Sequence, residues 1–447
     1  MSGGVGVVVA GPRVPANWRG ATAGVRVRTA VAWGGLAVVG LSGAWMAFAA
    51  ASNDWIVDTS AAPEPGWLRG PLAGLLPSLT DPSFSALLLT MLAGYLAVVA
   101  GAGLLPERAA LGVSCGLVAL FGLAPVVLSS DLFGYLAYAR LEVVHHLSPY
   151  AHAAAAAPRD PVDPYVYWSH ATSPYGPLYT LLSLPAAAVA VPAGVWSLKA
   201  LSTLGCLGAL ALIARAAPRY GRAAGAAVLL VGANPLLLVY SVGGGHNDLL
   251  VMVAAAGAIL ALASERSRGS GGALLAVATA LKVTGGLIAP FALVALRPRR
   301  SLLAGLAAAG ALLAAVTIAV FGPDLLAQIG RVATGDNFIV AYSGPDALGR
   351  VLGTGATAAV RLGCAGAAGL VALACLWRAG RGADWLAASA IAGVAILCAI
   401  PSLVPWYVAW ILPAGALAHG AAARWAVAAL TTAVVFTHIP ILGFAPY

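Results

Sequence analysis

Apolar runs recur along the chain, most of them close to the twenty or so residues that a helix needs to cross the ~30 Å hydrocarbon core of a bilayer. Candidate crossings are 30–51, 84–105, 109–129, 194–214, 223–241, 249–263, 302–321, 352–376, 384–400, 404–419 and 425–441. Backbone in lipid must satisfy its own hydrogen bonds, which leaves helices or closed barrels. These runs are continuous and rich in Ala, Leu, Val and Gly, whereas barrel strands alternate over about ten residues. The expected fold is therefore an all-α polytopic membrane bundle. Only 9% of residues are charged and 61% are hydrophobic, against about 25% charged in soluble domains. The longest polar stretch, 130–175, is too short for a core of its own, so no soluble domain is expected.

Two apolar pieces are awkward. One is 176–191; the other is 273–296, which Lys282 and Gly285-Gly286 split in half. Basic clusters favour the cytoplasm. Arg215/Arg219/Arg222, Arg266/Arg268, Arg297/Arg299/Arg300 and Arg378/Arg381 share one side under two conditions. The segment 176–191 must not cross, and 273–296 must enter and leave on the same side. The latter is then a re-entrant hairpin, or two short tilted helices, with Lys282 at its tip. About eleven full spans follow, in one transmembrane domain over 30–441. A cytoplasmic tail over 1–29 carries Arg13, Arg19, Arg26 and Arg28. No cleavable signal peptide is evident, and the expected location is the plasma membrane. Most acids then face outward and most arginines inward. The net charge of +9 thus reads as orientation rather than nucleic-acid binding. The five cysteines lie in apolar stretches without CxxC or metal spacing and read as small core residues.

On this topology the outer face gathers 130–175, 242–248, 322–350 and 401–407. The stretch Ser129–Pro177 holds four of the seven histidines. Asp131, where a span meets water, can act as a general base tuned by partial desolvation, or cap the helix that follows. Tyr135 and Tyr138 suit a substrate wall or an interfacial belt. Arg140 can clamp a phosphate or reach out to water. His246-Asn247-Asp248 follows three glycines. That trio can orient a sugar by several hydrogen bonds, or simply open a capped helix. Lys282, at membrane depth, is costly without a partner, and a lipid phosphate is a natural one. Lys199 and Arg361 are weaker candidates for the same task. Tyr175, in the rigid turn Ser173–Pro177, lines a sugar pocket or is structural. Trp168, Trp406 and Tyr407 stack on sugars or sit in the belt. His145, His146, His152 and His170 read as interfacial polar residues. Asp131, His246 and Asp248 show no ligand spacing, so no metal or other cofactor is assigned. No P-loop, GxGxxG, nucleophile elbow or HExxH occurs in its proper context. A donor would therefore arrive through the membrane.

The segments SSDLFGYLAYARL, LSPYAH, SPYGPL, NPLLLVYSVGGGHNDLL, ALKVTGG and PWYVAWILP resemble a known family across roughly residues 110–415. That family is the actinobacterial polyprenyl-phosphate-mannose-dependent α-1,6-mannosyltransferases of lipomannan synthesis, integral membrane enzymes of the GT-C superfamily. The resemblance implies a GT-C-like bundle that moves a sugar, mannose, from a polyprenyl-phosphate donor. The acceptor is a glycan or glycolipid hydroxyl on the outer face. A β-linked donor gives an α-product by inversion. Asp131 would be the base, and Lys282, with Arg140 or Lys199, would neutralise the departing phosphate. Tyr135, Tyr150, Tyr175, His246, Asn247, Asp248, Trp406 and Tyr407 would hold the substrates. The partners are the two substrates and membrane lipid, not nucleic acid. The alternatives are an arabinofuranosyltransferase with a polyprenyl-phosphate donor, or a lipid-linked-sugar flippase or transporter. A transporter predicts inverted repeats and a polar path to both faces, and no clear repeat is visible.

Overall fold

Residues 18–52, 65–326 and 338–440 are described by a computed structural model, and every regular element among them is helical. Most of the expected tail 1–29, the acids Asp54, Asp58, Glu64 and Asp336, and part of 322–350 lie outside the described residues. The chain opens with α1 (Trp18–Ala50), α2 (Asp81–Gly101) and α3 (Glu107–Leu123). Next come α4 (Asp131–Val143), the short α5 (Pro177–Ala187) and α6 (Val191–Ala216). Helix α7 (Ala224–Gly232) continues into a π-helical stretch, Leu236–Val242, with a bend of 55° between them. Then follow α8 (Asp248–Leu262), α9 (Arg268–Leu281), a 3₁₀ stretch Val283–Ile288 and α10 (Ala289–Ala295). The last part holds α11 (Arg300–Phe321), α12 (Gly344–Val351), α13 (Ala358–Gly380) and α14 (Trp385–Ala399). After a 3₁₀ stretch, Pro405–Trp410, come α15 (Leu412–Leu417) and α16 (Ala422–Thr437).

Five described helices are long and apolar enough to cross a membrane: Gly24–Ala50, Asp81–Leu104, Val191–Tyr220, Arg300–Phe321 and Ala358–Gly380. The bent pair around Pro235 makes a sixth candidate. Leu312, Leu362, Leu370 and Leu373 stand exposed on α11 and α13. Exposed apolar helix surface of this kind fits a lipid solvent. The protein is a polytopic membrane protein, all-helical among the described residues. The expected crossing 404–419 is not one helix. Pro405 and Pro413 open two short pieces, because each lacks the N–H that an interior helical turn needs. The crossing expected at 352–376 begins at Ala358, where Thr357 accepts the Val360 N–H, so Arg361 falls in its first turn.

Helix α5 has 11 residues, about 17 Å at 1.5 Å per residue, and is too short to cross. The segment from α9 through α10 folds back on itself. Lys282 is extended (φ −161°, ψ 134°) and ends α9. Arg268, at the start of α9, donates to the carbonyls of Arg297 and Pro298, so the two ends of the segment meet. Helix α11 then leaves beside the start of α9, where Gly305 packs on the Gly269 carbonyl. Lys282 thus sits at one end of α9, one helix length from Arg266, Arg297, Arg299 and Arg300.

Candidate active site

The end of the bundle that carries Lys282 also carries the starts of α4 and α8 and the 3₁₀ stretch Pro405–Trp410. Helix α4 starts where it does because the Asp131 N–H donates to Ser129 Oγ (3.2 Å) while Ser130 O accepts from Phe133 (3.0 Å) and Gly134 (3.3 Å). Ser130 holds the cap position and Asp131 is the first helical residue. The Asp131 carboxylate instead stands 3.5 Å from His246 Nδ1 and keeps 15% of its side-chain surface exposed.

His246 arrives by a different route. Asn234 Oδ1 accepts from the N–H groups of Leu236 and Leu237, launching the π-helical stretch after Pro235. π-helical turns often mark functional sites. The stretch ends at Val242, and the chain turns at Gly245 (φ +70°), a left-handed position that glycine adopts without steric cost. A Cβ there would also sit 2.3 Å from Leu132 on α4. His246 is fully buried, stacked on Trp406 with ring centroids 3.8 Å apart. Tyr135 OH lies 3.5 Å from His246 Nδ1 and donates to Asn247 Oδ1 at 3.3 Å.

Asp248, also fully buried, begins α8. Its Oδ1 accepts from Lys282 Nζ (2.8 Å) and from the Trp410 indole N–H. The Lys282 ammonium lies over the rings of Tyr407 (4.6 Å) and Trp410 (5.1 Å), a cation–π arrangement. Its side chain keeps 16% of its surface exposed. Four buried polar atoms in this neighbourhood make no hydrogen bond: His246 Nε2, Asn247 Nδ2, Asp248 Oδ2 and Tyr179 OH. Buried polar groups are normally paired, so a concentration of unpaired donors and acceptors suits a polyhydroxylated ligand.

Asp131, Tyr135, His246, Asn247, Asp248, Lys282, Trp406 and Tyr407 therefore come together from four distant parts of the chain. Tyr175 packs edge-on against Tyr135 (4.6 Å). The glycine of its Tyr-Gly-Pro turn lets the loop press on the carbonyls of Ala280 and Leu281, just before Lys282. A Cβ on Gly176 would lie 2.3 Å from Ala280 O. Tyr150 is buried one layer out, donating to Thr180 Oγ1 (2.9 Å) and to the Tyr175 carbonyl (3.3 Å). It braces the turn rather than facing the cluster.

Arg140 lies nine residues along α4 from Asp131, about 13 Å by helical rise. Its guanidinium is committed to Asp160 (2.8 and 3.0 Å). Lys199 is fully buried and donates to the carbonyls of Ala124, Pro125 and Gly243, so it is closed to a substrate phosphate. Trp410 and Tyr179 were not singled out in the sequence. Trp410 lay within the apolar run 404–419, whose break was invisible there. Tyr179 lay in the short apolar piece 176–191. Trp168 packs on Phe338 and Tyr167, away from the cluster. Among the described residues no group of three or more His, Cys, Asp or Glu is placed to hold a metal ion.

The loop after α4 is pinned by Asp160, which accepts from Arg140, from His145 (2.6 Å) and from the Val162 N–H (3.0 Å). His145 is thus a hydrogen-bond partner of Asp160, beyond the interfacial role read from sequence. Burial would raise the Asp160 carboxyl, but the hydrogen bonds from Arg140, His145 and Val162 outweigh it and hold the group below its ordinary value. A carboxyl more acidic in the folded state stabilises fully above its unfolded value of about 3.9. That contribution is lost as pH falls below 3.9 through the folded value. Hydrogen exchange should find residues 144–163 protected at pH 5 and loosened at the acid end. Asp160→Asn should show the loosened pattern already at neutral pH; unchanged protection there would contradict the pinning role.

The family described as α-(1→6)-mannopyranosyltransferase, N-terminal domain, matches residues 86–298. The α-(1→6)-mannopyranosyltransferase A of Mycobacterium tuberculosis is 30% identical over 356 residues, 71% of this chain and 68% of the relative. The protein of the same name from Corynebacterium glutamicum is 31% identical over 173 residues, 38% of this chain and 35% of the relative. No solved structure matches the chain. The chain belongs to the α-(1→6)-mannopyranosyltransferase family. Its matched region, 86–298, carries Asp131, Tyr135, Arg140, Tyr150, Tyr175, His246, Asn247, Asp248 and Lys282.

Proposed function

We propose that this protein transfers a mannosyl group, with inversion, from a polyprenyl-phosphate donor to a hydroxyl of a glycan or glycolipid at the outer face of the plasma membrane. The observation that carries this reading is the meeting of Asp131 and Lys282 in one cluster through His246 and Asp248. A carboxylate with partial exposure and a cation at membrane depth are what a sugar phosphate and an incoming alcohol require. The Asp131 carboxylate takes the proton of the acceptor hydroxyl. The oxygen forms a bond to the anomeric carbon as the bond from that carbon to the phosphate oxygen breaks. Polyprenyl phosphate leaves with the electron pair. An ammonium has three N–H donors and Asp248 takes one, so Lys282 keeps donors for the departing phosphate. A phosphate is already a good leaving group, so positioning and charge neutralisation carry most of the rate. His246, Asn247 and Asp248 hold sugar hydroxyls through their unpaired atoms.

In this reading about eleven crossings place the cluster outside. The gathering of Arg266, Arg297, Arg299 and Arg300 at the other end of α9 supports that orientation. An apolar groove of about 690 Å³ runs between α5, α6, α8 and α9, lined by Leu178, Leu182, Leu201, Leu250, Val253 and Leu281 among others. Leu281 directly precedes Lys282, and Leu250 lies two residues past Asp248, so the groove is continuous in sequence with the phosphate end of the cluster. We assign it to the hydrocarbon chain of the donor. Filling it with Val253→Trp should raise KM for a full-length donor about tenfold, some 1.4 kcal/mol of lost binding, and leave a short-chain analogue unaffected. Equal effects on both donors would remove the groove from the donor site. Transfer of a labelled sugar from purified polyprenyl-phosphate mannose tests the activity itself.

A further inference from the structure

Lys199 is wholly buried on α6. Its ammonium spends its three N–H donors on the carbonyls of Ala124, Pro125 and Gly243, the last at 3.0 Å. Among the described residues no carboxylate lies within ion-pair distance of it. A buried cation without a counter-charge is costly unless its surroundings supply compensating partial charge. Two helix ends supply it here. Ala124 is the C-terminal cap of α3 and Gly243 that of the π-helical stretch, and helix C-termini present unpaired, partially negative carbonyls. Without a cation these two ends would face each other with like polarity.

What hangs from these two ends is the active cluster. Ala124-Pro125 leads through Val127 into Ser129, Ser130 and Asp131. Gly243 leads through Gly245 into His246. The Val127 N–H donates to Gly243 O at 3.2 Å, cross-linking the two leads. Ser202, one turn along the same face of α6, donates to Gly245 O at 2.9 Å. One face of α6 thus grips both backbones just before they present Asp131 and His246, whose side chains are 3.5 Å apart.

We infer that Lys199 is a positioning residue: it fixes the register between the Asp131 and His246 leads and so aims the base. This rests on the reading of Asp131 as base. Lys199→Met removes the shared cation while keeping the volume of the chain. In folded protein it should lower kcat about 100-fold, the loss expected from a misplacement of about 1 Å, with donor KM within about twofold, because Lys282 and Trp410 are untouched. A residue that only stabilises the fold would change the amount of active protein, and its effect would multiply with any other. Here the effect should vanish in an Asp131→Asn background, since there is no base left to aim. Lys199→Arg, which restores a cation, should recover part of the rate. Hydrogen exchange needs no donor and separates this inference from the assignment of function. Lys199→Met should loosen 124–131 and 243–246 together. Should that variant fail to accumulate, Ser202→Ala is read in the same way, with a smaller loss. Unchanged kcat in folded Lys199→Met protein, full multiplication with Asp131→Asn, or exchange unchanged in both segments would each overturn the inference.

Discussion

Asp131→Asn is expected to lower kcat by about 10²- to 10⁴-fold, the range for removing a general base, with little change in folding. Asparagine has nearly the same shape and keeps a carbonyl oxygen toward His246. It suits the start of α4, because Asp131 is not the cap there. What it lacks is a site for the acceptor proton. Donor KM should move little, since the phosphate end of the cluster is built from Lys282, Asp248 and Trp410. The measurement is steady-state transfer by purified protein, with folding checked by thermal denaturation. Wild-type turnover in Asp131→Asn would remove this residue as the base.

Lys282→Ala is the second large effect, and it should strike stability and activity together. Asp248 is fully buried, and Lys282 is its counter-charge. Removing one partner of a buried pair costs about 3–5 kcal/mol, because the other charge is left uncompensated. The Trp410 N–H remains on Asp248 but carries no net charge. Transfer should fall below detection, since the departing phosphate loses its cation. The double variant Lys282→Met/Asp248→Leu separates the two roles. Replacing both members by apolar side chains of similar size is often neutral for stability. Its melting temperature should return toward that of the unmodified protein while transfer stays absent. A double variant that regained transfer would show the pair to be structural.

Much of this arrangement was legible in the sequence. A carboxylate after an apolar run, three glycines before His-Asn-Asp and a lysine splitting an apolar segment each violate the economy of a lipid-embedded chain. The distribution of arginines gave a fold-back at Lys282, and Arg268 bonded to the carbonyls of Arg297 and Pro298 has the geometry of such a hairpin. Other parts were not legible. The partners of Asp248 lie 34 and 162 residues away, and no periodicity encodes such pairings. Trp410 hid in an apolar run whose two proline breaks look like ordinary membrane helix. Arg140 and Lys199 read from the sequence as candidates for a phosphate, and their partners in the structure are different ones. Each is satisfied inside the protein, one by Asp160 and the other by backbone carbonyls at helix ends, an option that composition cannot reveal.

The most direct measurement is transfer by the purified protein, in defined lipid, from polyprenyl-phosphate mannose labelled in the sugar, with the anomeric configuration of the product read by NMR. The expected result is an α-linked mannosyl product and release of polyprenyl phosphate, both abolished in Asp131→Asn and Lys282→Ala. A product that retains the β-configuration, or transfer that proceeds unchanged in Asp131→Asn, would contradict it.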